Sequence, residues 1–169
     1  MPARSDKDSP AQENARRAKV TTPSEREIVI TRVFDAPRTL VFEAWTKAEH
    51  VVHWWDPSGV PLAVCEIDLR PGGAFRFVNG GPDGAKYPFA GTYREILPPE
   101  RLVFIPQNSS SGAESFALLI FHESEGKTTL TMTIQCASRE DRDALLRMGV
   151  DVGTTRTLDN LDEYLKSIG

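Results

Sequence analysis

The sequence predicts an α+β domain in which a curved antiparallel sheet packs against a long C-terminal helix, with a hydrophobic pocket between them. Strand-like segments separated by short turns fill the middle of the chain, from residue 62 to residue 135. Apolar residues spaced by threes and fours run from Leu145 to Ile168, which is typical of an amphipathic helix. Because one helix cannot fill the inner face of so many twisted strands, either large side chains or a cavity must occupy the remaining space.

Length and composition are those of one globular domain. The chain has 169 residues, of which 40% are hydrophobic and 26% charged. The net charge of -4 predicts no nucleic-acid partner, and no apolar run approaches the roughly 20 residues that a membrane span needs. Cys65 and Cys136 each lie in a strand-like stretch, so we expect reduced thiols and a cytoplasmic location.

The N-terminal half divides into a tail, a strand and two short helices. Residues 1–25 are polar and aperiodic, so we expect a disordered tail, followed by one domain over residues 26–169. Ile28 and Ile30 alternate with polar residues and predict the first strand. Pro37 suits the first turn of a helix, and a second short helix ends near Trp54.

Turn residues then separate six further predicted strands, which are short enough for an antiparallel meander. These strands cover residues 62–69, 74–78, 87–97, 102–105, 114–122 and 128–135.

The last predicted helix opens at a capping box around Ser138 and continues almost to the end of the chain. Gly149 and Gly153 lie inside it, and each costs about 1 kcal/mol relative to alanine in a helix interior. Two explanations stay open: close approach of another element, or room left over the helix for something outside the chain.

Four stretches resemble a known family: VITRVFDAP at 29–37, HWWDPSG at 53–59, EIDLRPGGAFRF at 66–77 and GTYREILPPERLVF at 91–104. They are similar to bacterial members of the SRPBCC (START-like, Bet v 1-like) superfamily, and more narrowly to the activator of heat-shock protein 90 ATPase homologue family. The resemblance implies a helix-grip fold, in which a seven-stranded antiparallel sheet wraps the C-terminal helix and two small helices close one end. It also implies a cavity for hydrophobic or amphipathic ligands.

The sequence departs from the family pattern at two positions. Asp56 stands where relatives often have glycine, and Val150 follows Gly149 where relatives often have tryptophan. The missing tryptophan should enlarge or reshape one wall of the cavity, so a relative's ligand does not transfer directly.

The predicted ligand site combines strand faces with the last helix, because aromatic walls with few polar groups suit an apolar ligand. The predicted residues are Trp54, Asp68, Arg70, Phe75, Phe77, Phe89, Tyr93, Phe104, Phe116, Met132, Met148 and Val152. For the aromatic residues the alternative is simple core packing. Trp54 is favoured over Trp55 as a lid over the pocket, and Asp68 and Arg70 form either a structural ion pair or polar anchors inside the cavity.

Three functions follow from these observations. The leading one is binding of a small hydrophobic or aromatic molecule, without a cofactor. The second is a cyclase or hydratase using Asp68, Arg70, Tyr93 and Asp151, although the sequence carries no known catalytic motif. The third, implied by the resemblance alone, is a chaperone partner. His50 and His53 have a spacing that metal ligands use, but no third ligand is evident, so no metal site is predicted.

Overall fold

The computed structural model describes residues 18–81, 88–107 and 115–168, which form one sheet and four helices. The strands are β1 (Lys19–Thr21), β2 (Glu27–Phe34), β3 (Val64–Ile67), β4 (Ala74–Val78), β5 (Phe89–Leu97), β6 (Arg101–Pro106), β7 (Phe116–Ser124) and β8 (Lys127–Gln135). The helices are α1 (Arg38–Thr46), α2 (Ala48–Trp54), α3 (Arg139–Arg147) and α4 (Val150–Ile168).

The sheet is antiparallel in the order β1-β2-β8-β7-β6-β5-β4-β3. The predicted α+β helix-grip architecture is confirmed, with eight strands in the described residues instead of seven. The additional strand is β1, in which Val20 pairs with Ile30 of β2. The prediction of a disordered tail over residues 1–25 is therefore wrong at its C-terminal end, because β2 offers β1 a free edge. Residues 1–17 lie outside the described residues.

One face of the sheet, here called the inner face, carries the core. Along β2, the side chains of Ile28, Ile30 and Phe34 are fully buried. The residues that alternate with them, such as Val29 and Val33, are only half-buried. This period of two is that of a strand with one covered face. Helix α1 covers the inner face through Phe42, whose ring meets the ring of Phe121 on β7 at 5.2 Å between centroids.

The predicted single C-terminal helix is divided into α3 and α4. Ser138 caps α3 as predicted, since its hydroxyl accepts a hydrogen bond from the Asp141 backbone N–H at 3.1 Å. The chain turns at Gly149, whose φ of +83° is the left-handed conformation that glycine adopts without steric cost. This elbow changes the direction of the helix, so the predicted continuous buried stripe is wrong at its start.

The two residues beside the elbow are exposed. Met148 is 80% exposed and Val152 is 55% exposed, whereas Leu158 and Leu161 further along α4 are fully buried. A Cβ atom added at Gly153 would meet no atom within 4 Å. Of the two explanations for this glycine, close approach of another element is therefore wrong, and the space beside Gly153 is open.

Helix α4 is held against the sheet and α2 by polar contacts. The guanidinium of Arg32, on the inner face of β2, forms an ion pair with Asp159 and lies 3.6 Å from a carboxylate oxygen of Asp162. The hydroxyl of Tyr164 is hydrogen-bonded to Nδ1 of His50 in α2. These contacts fix the position of α4 relative to β2 and α2.

Candidate functional site

Seven aromatic side chains and one leucine enclose a small pocket on the inner face of the sheet. We call it the aromatic pocket, and its residues come from α1, the end of α2, and strands β4, β5 and β6. They are Trp45, Trp55, Phe75, Phe77, Phe89, Tyr93, Leu102 and Phe104.

The aromatic pocket is almost full in this conformation. Its remaining volume is about 10 Å³, which is room for one water molecule at most. The sequence left two ways to occupy the inner face, large side chains or an open cavity. At this position the aromatic side chains occupy it, so the expected open cavity is not found there.

Phe75 lies at the centre of the packed rings. Its centroid is 5.2 Å from those of Tyr93 and Phe104, in tilted and edge-to-face arrangements that aromatic pairs favour. Gly91 on the neighbouring strand makes this placement possible, because a Cβ atom there would lie 2.8 Å from Cζ of Phe75. The same Cβ would lie 2.4 Å from the backbone oxygen of Ile105, so the sheet has no room for a side chain at this position.

The indole N–H groups of two neighbouring tryptophans differ in their partners. Nε1 of Trp54 donates a 3.0 Å hydrogen bond to the backbone oxygen of Ala44. Nε1 of Trp45 is also buried, and the described part of the chain gives it no hydrogen-bond partner. An unsatisfied buried donor of this kind costs about 1–3 kcal/mol. Trp45, which lines the aromatic pocket, therefore has an unused donor.

Two further polar groups face the inner side of this region, and both are held in the protonated form. Burial raises the pKa of the Tyr93 hydroxyl, and nearby Cys65 raises it further. Burial also raises the pKa of the Cys65 thiol to about 11. Cys65 and Cys136 are both free thiols, as predicted.

Trp55 forms the part of the pocket wall that follows α2. Its ring is half-buried and lies 4.9 Å from that of Phe77 and 5.2 Å from that of Phe89, measured between centroids. Its backbone is held separately, since the hydroxyl of Thr157 donates a 3.1 Å hydrogen bond to the Trp55 carbonyl. The backbone can thus remain fixed while the side chain changes rotamer.

Asp56, one of the departures from the family pattern, stabilises the turn that follows Trp55. Its carboxylate accepts hydrogen bonds from the backbone N–H and the hydroxyl of Ser58, both at 2.9 Å. Its backbone oxygen accepts a 2.8 Å hydrogen bond from the side-chain amide of Asn160 in α4.

The structure brings five predicted site residues together in the aromatic pocket: Phe75, Phe77, Phe89, Tyr93 and Phe104. The two tryptophans exchange their predicted places. Trp54 is fully buried and hydrogen-bonded behind the pocket, whereas Trp55 lines it.

Two other predicted residues lie away from the pocket on the sheet. Phe116 lies on the opposite, outer face, where the guanidinium of Arg94 sits 5.3 Å from the centre of its ring. Met132 is buried on the inner face of β8 between Ile30 and Leu119, and it packs in the core instead of lining the pocket.

The remaining predicted residues are exposed. Asp68 and Arg70 form a solvent-exposed ion pair at 2.9 Å, which is the structural alternative, and they do not reach the pocket. Met148 and Val152 lie beside the elbow at Gly149, as described above.

Trp45, Trp55 and Leu102 also line the pocket, although they are not among the residues predicted from the sequence. The signal for Trp45 was its position on the apolar face of α1, which is equally typical of core packing.

A second depression lies mainly over the outer face of strands β3 to β6 and measures about 550 Å³. Its side chains include the charged Glu66 and Arg76, which are exposed and directly paired across β3 and β4. Such a mixed, open surface lacks the enclosed apolar character of a small-molecule site.

Within residues 18–81, 88–107 and 115–168, no three His, Cys, Asp or Glu side chains could together hold a metal ion. In the same part of the chain, no helix is both long and apolar enough to cross a membrane.

Comparison with known proteins places this geometry in context. A family model described as Activator of Hsp90 ATPase homolog 1-like protein matches residues 35–166. This match confirms the resemblance that the sequence motifs indicated. No functionally curated protein matches the chain.

Solved structures share the fold over most of the chain. A protein from Rhodobacter sphaeroides is 24% identical, with a TM-score of 0.77 over 90% of this chain and 99% of that one. Protein Ms6760 from Mycobacterium smegmatis is 26% identical, with a TM-score of 0.75 over 89% and 100% of the two chains. An HSP90 activator from Plasmodium falciparum is 21% identical, with a TM-score of 0.63 over 83% and 96%. At 21% identity the similarity to the last protein is one of fold alone.

Proposed function

The chain belongs to the family of Activator of Hsp90 ATPase homolog 1-like proteins, and on that premise we propose that it binds a small hydrophobic or aromatic molecule in the aromatic pocket. The fold supports a ligand-binding or co-chaperone-like role in general. A carrier, a sensor and a sequestering protein would all use the pocket in this way.

One observation carries the proposal. Seven aromatic side chains from separate elements converge on one pocket, and one of them, Trp55, is only half-buried while its backbone is hydrogen-bonded to α4. Apolar walls with few polar groups are typical of small-molecule sites. Packing alone would not require a separately anchored, half-buried ring at the edge of the cluster.

The ligand must displace a side chain, because the remaining volume of about 10 Å³ holds no organic molecule. Rotation of Trp55 out of the pocket would break its contacts with Phe77 and Phe89 and with the rings of Trp45 and Trp54, each worth about 0.5–1.5 kcal/mol. A planar ligand in the same place would make equivalent contacts with these four rings. The contacts made by the ligand would therefore offset most of the free energy lost when the Trp55 contacts break. On this account the ligand cavity of the family is present here, closed by the Trp55 side chain.

Titration with naphthalene tests the proposal, with binding measured by tryptophan fluorescence and by calorimetry. Two matched variants locate the site, because Phe89 and Phe116 are both half-buried strand residues on opposite faces of the sheet. We expect Phe89→Leu to weaken naphthalene binding about two- to tenfold through loss of ring contact, and Phe116→Leu to leave it unchanged. An absence of naphthalene binding, or equal effects of both variants, would contradict the proposal.

The enzymatic alternative has less support. Of its four candidate groups, Asp68 and Arg70 are exposed and Tyr93 alone lines the aromatic pocket. Acid–base catalysis needs two titratable groups that converge on one site. The described lining of the pocket provides no such pair.

The co-chaperone alternative rests on the family description and on the name of the Plasmodium falciparum relative. A fold-level analogy of this kind does not identify a partner surface. Retention of the protein on an immobilised middle domain of the chaperone, in excess over a control column, would support it.

A further inference from the structure

We infer that the ligand of the aromatic pocket is an uncharged planar molecule with an acceptor oxygen, and that the indole N–H of Trp45 and the hydroxyl of Tyr93 select it. The inference rests on the proposed function and concerns the chemical class of the ligand. It follows from the polar groups of the pocket, from their charge, and from the shape of the space that Trp55 occupies.

The first step is the unused donor on Trp45. The residue is only 5% exposed, and its Nε1–H has no acceptor among residues 18–81, 88–107 and 115–168, whereas the indole N–H of Trp54 beside it is hydrogen-bonded. Buried donors are nearly always paired, and an exception within a ligand site is expected where the ligand itself supplies the partner. The missing partner is an acceptor, because an indole N–H can only donate.

The second step is the hydroxyl of Tyr93. It belongs to the same pocket, and the residue is only 4% exposed. Because burial and nearby Cys65 raise its pKa, the hydroxyl keeps its proton at neutral pH and can donate it in a hydrogen bond. Two donors in one apolar pocket favour an oxygen with two lone pairs, such as the carbonyl oxygen of a ketone, lactone or quinone.

The third step concerns charge. The eight lining residues include no charged side chain, and the neighbouring Cys65 thiol is held protonated by burial. A carboxylate or an ammonium group would lose its hydration here without gaining an ion pair. The pocket therefore favours neutral molecules over charged ones with the same ring system.

The fourth step concerns shape. The Trp55 indole is tilted by 34° to the ring of Phe89 and by 63° to that of Phe77, and it occupies a slot beside both rings. When this side chain moves out, the slot left behind has the size of a fused bicyclic ring. A planar bicyclic molecule would fill the slot, and its oxygen could reach the donors on the pocket wall.

Coumarin and naphthalene form a matched pair of probes for this inference, because both are planar, neutral and bicyclic and only coumarin carries a carbonyl oxygen. Their dissociation constants are measured by calorimetry on the wild-type protein, Trp45→Phe and Tyr93→Phe. We expect the wild-type protein to bind coumarin about tenfold more tightly than naphthalene. Trp45→Phe should lose most of this preference, measured as the ratio of the two dissociation constants in the same variant.

The carbonyl stretching band of bound coumarin provides a second measurement on the unmodified protein. A shift of this band to lower frequency, which is absent in Trp45→Phe, reports a hydrogen bond from the indole. Equal wild-type affinities for the two probes, or an unchanged preference in Trp45→Phe, would overturn the inference and leave the proposed function intact. In that case a water molecule or a ring face satisfies the Trp45 N–H. If neither probe binds, the proposed function fails as well.

Discussion

The hydroxyl of Thr157 donates a hydrogen bond to the backbone carbonyl of Trp55, and this contact connects helix α4 to the wall of the aromatic pocket. The amide of Asn160, one turn further along α4, holds the backbone oxygen of Asp56 in the same way. The segment after α2 is therefore positioned by α4, although it contributes a side chain to a pocket formed mainly by strands. A movement of α4 would be transmitted to Trp55 through these two hydrogen bonds.

Replacing Thr157 with valine should loosen this connection. The substitution leaves the Trp55 carbonyl without its donor, so we expect the free energy of unfolding to fall by about 1 kcal/mol. Acrylamide should also quench the tryptophan fluorescence of this variant more strongly than that of the wild-type protein. Thr155→Val is the matched control, because the Thr155 hydroxyl bonds only to the Asp151 oxygen within α4. Equal effects of the two substitutions on quenching would contradict the connection.

Alanine substitution of the two glycines near the elbow should change the free energy of unfolding in opposite directions. Gly153→Ala adds a methyl group in open space within α4, so we expect about 1 kcal/mol of stabilisation from helix propensity. Gly149→Ala should destabilise by about 1–2 kcal/mol, because the left-handed conformation at φ +83° disfavours a Cβ atom. Urea unfolding of the two variants measures both changes. Stabilisation by Gly149→Ala would show that the helix continues through the elbow.

The ion pairs of Arg32 should contribute more to the free energy of unfolding than ion pairs on the surface. The double substitution Asp159→Asn and Asp162→Asn removes both negative partners of Arg32, whose side chain is only 6% exposed. Because a buried guanidinium is then left without a counter-charge, we expect the free energy of unfolding to fall by about 3–5 kcal/mol. Asp68→Asn breaks an exposed pair of similar geometry and should cost less than about 1 kcal/mol. Thermal and urea unfolding compare the variants. A double variant as stable as the wild-type protein would show that α4 docks without this charge contact.

Stability should decline in alkaline solution because of Cys65. Burial raises the pKa of its thiol from 9.0 to about 11, so between these values the folded protein binds more protons than the unfolded chain. The free energy of unfolding therefore falls as pH rises from about 9 to about 11. The raised pKa of Tyr93 acts in the same direction at higher pH. Cys65→Ala should make the decline shallower, and an unchanged slope in this variant would contradict the assignment.

The fold followed from the sequence wherever one local pattern allowed only one arrangement. The period of two places Phe75 and Phe77 on one face of β4, and Ser138 marks the start of α3, as the structure confirms. The family resemblance supplied the order of sheet and helices that local patterns alone leave open.

The details that sequence reasoning missed depend on tertiary contacts. Phe116 begins a strand whose first six residues are all apolar, so alternation could not assign its face. Trp54 and Trp55 are chemically identical, and the Ala44 carbonyl decides which of them turns inward behind the pocket. The elbow at Gly149 leaves the helical spacing of apolar residues unchanged, so periodicity could not reveal it.

The central claim is that Trp55 leaves the aromatic pocket when a planar apolar molecule enters it. Two-dimensional NMR of the three indole N–H groups during a naphthalene titration tests this directly, because each tryptophan has a distinct role. We predict a large shift for Trp55 and a smaller one for Trp45, while Trp54, bonded to Ala44, stays in place. Saturation with naphthalene that leaves the Trp55 signal where it was would contradict the account.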